Sequence, residues 1–282
     1  MRPQLRPCYS AAMPGRYPER IVCLTEETTE TLYLLGEDAR IVGISGFTVR
    51  PPRARREKPK VSAFTSAKID RIVGLAPDLV LGFSDLQADI AAELARAGIE
   101  VHLFNHRSVR GILRTIRVLG GMIGCEAKAA ALADELAAGV LRVRASASTL
   151  PRRPRIYFEE WDEPLIAGIR WVGELIEIAG GINCFPELSA MPLGRDRIIA
   201  DPMEVVRRAP DMILGSWCGK KFRAHQVAAR PGWSQVPAVR DGELHEIKSS
   251  IILQPGPAAL TDGLAAIHAH VRRWALKGDA TL

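Results

Sequence analysis

At 282 residues the chain is long enough for one large core or two ordinary ones, and 47% hydrophobic with 25% charged residues is a globular composition. No stretch approaches 18 consecutive apolar residues, which excludes a membrane-spanning helix. The net charge of +6 is unevenly placed, and the five cysteines (Cys8, Cys23, Cys125, Cys184, Cys218) form no C-x-x-C, which excludes the common zinc and redox motifs.

Taken in order, residues 1–18 carry Arg2 and Arg6, but Pro3, Pro7 and Pro14 interrupt any apolar run. The apolar core of a secretory signal, roughly 7–15 residues, is missing, and Cys8 lacks the preceding small-apolar pattern of a lipoprotein site. The expectation is therefore a cytosolic protein, or a start or signal that lies outside this sequence. Arg20–Leu24 reads as a first strand, and Thr25 with Glu26, Glu27 and Glu30 opens a helix that stops at Gly36. Arg40–Ser45 is a second strand. Residues 50–60 hold Arg50, Arg53, Arg55, Arg56, Lys58 and Lys60 against Glu57 alone, among Pro51, Pro52 and Pro59. Without interleaved aromatics or a recognition motif this is a solvated loop rather than a nucleic-acid patch, and part of it is able to face an anionic ligand.

Ile69–Gly82 is then read almost twice. Ile69-Asp70, a short amphipathic turn, Ala76-Pro77-Asp78 and an apolar run to Gly82 return, about 133 residues on, as Met203-Glu204, a turn, Ala209-Pro210-Asp211 and a run to Gly215. Proline ends a helix and pushes its predecessor away from helical angles, so each copy predicts helix, stop, strand. The separation is too long for a solenoid repeat and instead predicts two similar α/β lobes. Asp85–Ala97 has helical spacing up to Gly98, and Glu100–Asn105 is another strand. Strands alternating with helices predict a parallel sheet of βαβ units. From Ser108 to about Ser148 only helical spacing appears, enough for roughly 60 Å if unbroken. Gly120, Gly121 and Gly124 imply a kink or two consecutive segments. Arg155–Glu160 restarts the strand pattern, Trp171–Ala179 is a helix, Leu244–Ile247 a late strand, and Pro257–Leu276 a final helix. The domains expected are an extension (1–19), an N-terminal α/β lobe (20–107), a connecting helix (108–149) and a C-terminal lobe with the final helix (150–282).

No catalytic constellation is visible: G-x-S-x-G, a Walker loop, G-x-G-x-x-G after a strand and H-E-x-x-H are all missing. His102 and His106 lie on and after a strand, and His268 and His270 face different ways on a helix, so no histidine metal site is expected. Large side chains instead cluster after strands, where open α/β sheets bind ligands. Phe47, Phe83, Trp161 and Trp217 each follow a predicted strand, Phe64 follows Val61-Ser62, and Trp171 follows the loop 164–170. Core packing explains any one of them; the pattern in both lobes points to a shared apolar cleft. Thr65, Ser84, Asp85, Asp162, Arg170, Lys220, Lys221 and Gln254 are the polar neighbours that would orient a large ligand.

Ile69–Gly82 followed by Phe83 resembles the signature of the helical-backbone (class III) periplasmic substrate-binding proteins of ABC importers for cobalamin and iron siderophores, and the cobalamin-binding members most of all. Arg20–Glu30, Gly43–Pro52, Gly98–Ser108 and Leu175–Phe185 carry the likeness further, from about residue 20 to 275. The resemblance implies two Rossmann-like lobes with parallel-rich sheets, joined by a long rigid helix, with the ligand between them. It implies a non-enzymatic monomer without covalent cofactor or metal, partnered by a membrane permease and its ATPase, outside the cytoplasm. By position, Asp70 and Glu204 match the acidic residues, one per lobe, that meet permease arginines. Phe47 stands where the pattern has Tyr, and Phe64 and Phe83 where it has Trp, which keeps the stacking surface for a corrin but loses the polar handles. The ligand set expected is Phe47, Phe64, Phe83, Asp85, Trp161, Asp162, Trp171, Trp217 and Gln254, around a cobalamin-like corrinoid. A ferric siderophore or haem binder is the alternative in the same class, and a cytosolic corrinoid- or tetrapyrrole-handling protein or enzyme the alternative outside it.

Overall fold

The computed structural model describes residues 15–277; Cys8 lies outside them. Five strands, β1 (Ile21–Cys23), β2 (Ile41–Ser45), β3 (Lys60–Ser62), β4 (Leu79–Phe83) and β5 (Val101–Phe104), form a wholly parallel sheet in the order β3-β2-β1-β4-β5. Every residue of β1 and β4 is buried, the continuous apolar run that a parallel sheet covered on both faces requires. Helices α1 (Glu26–Leu34), α2 (Ala54–Glu57), α3 (Ile69–Gly74) and α4 (Ala88–Arg96) connect these strands. In the second lobe, β6 (Arg155–Asp162), β7 (Leu165–Ala167), β8 (Ile182–Asn183), β9 (Met212–Gly215) and β10 (Leu244–Glu246) form a sheet in the order β10-β9-β6-β7, with β8 on β6. Only β7 is antiparallel in it.

The helical stretch between the lobes is two helices, α5 (Val109–Met122) and α6 (Glu126–Ala147). The chain turns at Gly124, whose φ of +73° is left-handed, and α6 runs back along α5 with Arg117 and Asp134 paired at 2.5 Å. Of the two readings of the connecting stretch 108–149, a kink or two consecutive segments, the chain adopts the second, and α6 alone is the long strut, about 33 Å for its 22 residues. Its stripe Ala129, Ala133, Leu136, Val140 and Ala147 is buried. One continuous core includes Ile21 and Leu81 of the first lobe, Ala129, Ala133, Leu136 and Val140 of this stripe, and Ile156, Leu175 and Leu264 of the second.

Helices α7 (Arg170–Ile178), α8 (Pro186–Ser189) and α9 (Met203–Arg208) follow in the second lobe. The C-terminal helix does begin at Pro257, but a π-turn over Ala259–Gly263 precedes its regular part, Leu264–Leu276. The repeat is three-dimensional. Asp78 accepts the N–H groups of Glu19 (2.7 Å) and Arg20 (2.9 Å) ahead of β1, and Asp211 accepts the N–H of Arg155 (2.8 Å) at the start of β6. Each Pro-Asp therefore clips down its lobe's central strand. Ala76 and Ala209 have φ of 45° and 43°, left-handed rather than the extended backbone expected before proline. Both copies escape the steric block on the right-handed region this way, at about 1–2 kcal/mol each. Both end on a glycine with no room for a side chain: a Cβ at Gly82 would stand 2.6 Å from Gln87 Oε1, and one at Gly215 would overlap the Phe222 ring.

The basic segment 50–60 is not a bare solvated loop. It includes α2, with Ala54 fully buried, and three of its four arginines are engaged: Arg50 with Glu30 (2.8 Å) and Asp262 (2.9 Å), Arg55 with the carbonyls of Gly46 and Thr48, and Arg53 over the Tyr33 ring.

Candidate functional site

The carboxyl ends of the two sheets supply the walls. On the first, Phe47 beyond β2 is 55% exposed, and Phe64 beyond β3 is half-buried. Phe83, at the end of β4, is only 6% exposed. Its ring meets His106 edge-on at 5.2 Å, and the Arg107 guanidinium lies 5.0 Å from its centroid. Buried Gln87 ties these loops together, accepting from Phe83 N–H (3.0 Å) and donating to Phe64 C=O (2.8 Å). Ser84 takes φ 76°, an unusual backbone for a non-glycine residue, and both its hydroxyl (2.9 Å) and Arg107 (3.2 Å) donate to exposed Asp85.

On the second wall Trp161 is half-buried at the end of β6 and donates to Glu163 C=O (2.8 Å). Lys220 Nζ lies 4.3 Å from its ring centre, 5.1 Å from that of Trp217, and 2.5 Å from Asp162. Trp217 itself is 3% exposed and donates to Glu159 (2.9 Å), a fully buried carboxylate that also takes both guanidinium nitrogens of Arg230 (2.6 and 2.9 Å). Trp161, Asp162 and Trp217 are thus gathered by one lysine, with Trp217 as support from below. Trp171 is corrected. It is buried in the shared core, with its indole N–H on Ile252 C=O (2.8 Å), because its place in the first turn of α7 faces inward. Half-buried Gln254 stands beside Pro255, whose carbonyl meets His106 Nε2 at 2.7 Å across the lobes. The pull of burial takes His106 down to about 4, so the bridge is a neutral imidazole donating to that carbonyl.

Several residues of the site carried no mark in the sequence. Arg197, 2% exposed, forms a two-pronged pair with Glu160 (2.6 and 2.8 Å). Glu26 and Glu27, in the first turn of α1, are 7% and 2% exposed, and burial raises them to about 7 and about 8. They follow β1, the central strand, and the strand-end argument applied to carboxylates as well as aromatics would have found them. Cys218 keeps solvent access, yet burial first, then Glu160 and Glu26, raise its thiol, so it lies within electrostatic reach of both walls.

Residues 21–251 match the family described as periplasmic binding protein. The chain belongs to that family. It is 28% identical over 252 residues to a cobalamin-binding protein of Halobacterium salinarum, covering 85% of this chain and 66% of that relative's length. It is 24% identical over 249 residues to an uncharacterized ABC transporter substrate-binding lipoprotein of Bacillus subtilis, covering 85% of this chain and 76% of the other. Its fold is similar to that of a periplasmic heme-binding protein from Roseiflexus sp. RS-1 in apo form, with TM-score 0.75, 23% identity, and 90% and 99% of the two chains covered. As a periplasmic binding protein the molecule is a two-lobed α/β binder rather than an enzyme, and the strand ends just described are where its lobes face each other. Among the described residues no group of three or more His, Cys, Asp or Glu could hold a metal ion, and no helix is long and apolar enough to cross a membrane. Cavity volume alone points elsewhere: a groove of about 1080 Å³ flanks α5, α6 and α7, and none of the nine expected ligand residues lines it.

Asp70 and Glu204 each occupy the second position of a six-residue helix, α3 and α9. Asp70 is exposed. Glu204 is held by Arg207 (2.8 Å) and Arg208 (2.8 Å), whose hydrogen bonds lower its pKa.

Proposed function

We propose that this periplasmic binding protein is the extracytoplasmic solute-binding component of an ABC importer and captures, as a monomer, a corrinoid of the cobalamin type between its lobes. The observation that carries the reading is the pair of accessible aromatic surfaces at strand ends of opposite lobes, Phe47 and Phe64 on one side and Trp161 on the other. Such faces suit a broad, flat, largely apolar ring system held by stacking rather than by a covalent bond. The cobalamin-binding relative supports the choice of cargo. A shared core through α6 favours a clamp that changes little on loading. Phe47, Phe64 and Trp161 form the stacking surface in this reading, Phe83 and Trp217 back it, and Asp85, Asp162 and Gln254 form the rim. Asp70 and Glu204 are the docking points for permease arginines, with the ATPase on the far side of the permease.

Haem is the second reading, favoured by Arg107 and Lys220, cations beside aromatic rings that would suit carboxylate edges. Ultraviolet–visible titration of the purified chain with cyanocobalamin, haemin and a ferric siderophore decides. The expected result is saturable one-to-one binding of the corrinoid in the micromolar range or tighter, about −8 kcal/mol or better. Saturation by haemin alone replaces the corrinoid reading with the haem one.

A further inference from the structure

The floor between the lobes is acidic in a way that neither stacking nor lobe docking uses. Three carboxyls of α1 are buried there. Glu30 is fully partnered, by Arg50 at 2.8 Å and by the Ala258 N–H of the other lobe at 3.0 Å. Glu27 accepts the Thr25 hydroxyl on Oε1 (2.6 Å), while its Oε2 is buried with no partner among the described residues. Gly256 of the opposite lobe comes so near that a Cβ on it would sit 2.6 Å from that of Glu27. Glu26 gains only its own backbone N–H as a donor. Cys218 of the second lobe lies within electrostatic reach of Glu26.

Two features make this floor unlike an anion site. A helix N-terminus ordinarily welcomes a ligand's negative charge, but the first turn of nine-residue α1 is already filled by its own carboxyls. The nearby cations are also committed: Arg197 to Glu160, Arg107 to Asp85, and Lys220 to Asp162. What remains without a strong donor is carboxyl oxygen, sealed from solvent on Oε2 of Glu27 and still partly exposed on Glu26, and a buried acceptor without a donor costs about 1–3 kcal/mol until one arrives.

We propose that Glu26, backed by buried Glu27, forms an acceptor floor that selects, among large planar ligands, those whose edges carry uncharged N–H donors such as primary carboxamides and rejects those whose edges carry carboxylates. The inference rests on the binding-protein reading above and narrows its cargo class. Like charges brought together in a partly desolvated cleft weaken binding, and each tenfold in Kd corresponds to about 1.4 kcal/mol.

The test uses one chromophore with two edges, dicyanocobinamide (carboxamides) and dicyanocobyrinic acid (carboxylates), titrated into the full chain at pH 8. Wild type is expected to favour the amide ligand about tenfold or more. Glu26→Gln keeps size and shape, and is expected to tighten the carboxylate ligand about tenfold while the amide ligand weakens a few-fold, so that the preference nearly vanishes. Glu27→Gln is the second variant, with the same direction expected, and circular dichroism confirms that both fold. Equal affinities in wild type, or an unchanged ratio in both variants, overturns the acceptor floor while leaving a corrinoid cleft standing. If neither corrinoid binds, the cargo reading falls, and haemin against its bis-amide then tests the floor: a preference for the bis-amide that Glu26→Gln abolishes supports it, and equal binding overturns it.

Discussion

The two lobes hide a carboxylate near the end of the central strand in opposite ways. In the second lobe Glu159 is wholly buried on β6, but Arg230 grips both its oxygens and the Trp217 indole adds a third donor. In the first lobe Glu27 follows β1, is 2% exposed, and receives one hydroxyl and no cation. The first is a finished ion pair that holds up Trp217. The second is an unfinished polar group, tolerated because protonation removes its charge. Their contrast shows that two similar lobes settle a buried carboxyl differently, one on the strand itself with a cation and one in the helix turn that follows without a cation.

Breaking the finished pair has the largest expected effect. Arg230→Met leaves Glu159 charged, buried and without its cation, and such half-broken pairs cost about 3–5 kcal/mol. Urea denaturation at pH 7 should show a loss in that range, and a loss under about 1 kcal/mol would mean that solvent already reaches the pair. The opposite sign is expected on the other side. Glu27 rises from 4.5 to about 8, with burial as the main cause and Glu26 adding to it. Between those values the folded chain holds a proton that the unfolded chain has lost, so stability falls as pH rises from about 4.5 toward 8 and levels off above it. Glu27→Gln should flatten that slope and stabilise the protein at pH 8 by on the order of 2 kcal/mol. A destabilised variant at pH 8 would show that an unseen donor satisfies Oε2.

Much of this frame is legible in the residues, because it depends on local rules. Pro77 and Pro210 stop helices wherever they stand, and the continuous apolar run of β4 announces a covered parallel strand. The left-handed turns at Ala76 and Ala209 and the clips from Asp78 and Asp211 could not be read, since they depend on where the preceding strand begins in space. At the site, strand-end position located Phe47, Phe83 and Trp161 but gave no measure of burial. Trp171 and Trp217 differ from Trp161 only through partners 81 and 58 residues away, Ile252 and Glu159. The glutamates of α1 were hidden by a local rule that fits them too well: carboxylates belong in a helix's first turn, and nothing in Thr-Glu-Glu-Thr-Thr-Glu announces that this turn is buried.

The smallest expected effect concerns the acids of the repeat. Both open a six-residue helix at its second position, but the first copy carries one residue more, Leu75, before its Ala-Pro. Arg207 and Arg208 in the second copy stand three and four residues after Glu204, on its own helical face, and both bind it. The corresponding places after Asp70 are Val73 and Gly74, which offer no charge. A permease arginine meeting Glu204 must therefore compete with two resident guanidiniums, whereas one meeting Asp70 need not. Exposed pairs of this kind are worth under about 1 kcal/mol, so Asp70→Ala should weaken binding to the reconstituted permease a few-fold and Glu204→Ala by less. Neither should change the Kd for the ligand in solution. Arg207→Ala with Arg208→Ala sharpens the comparison, because freeing Glu204 should raise permease affinity; if it lowers affinity instead, those arginines rather than Glu204 are the docking groups of the second lobe.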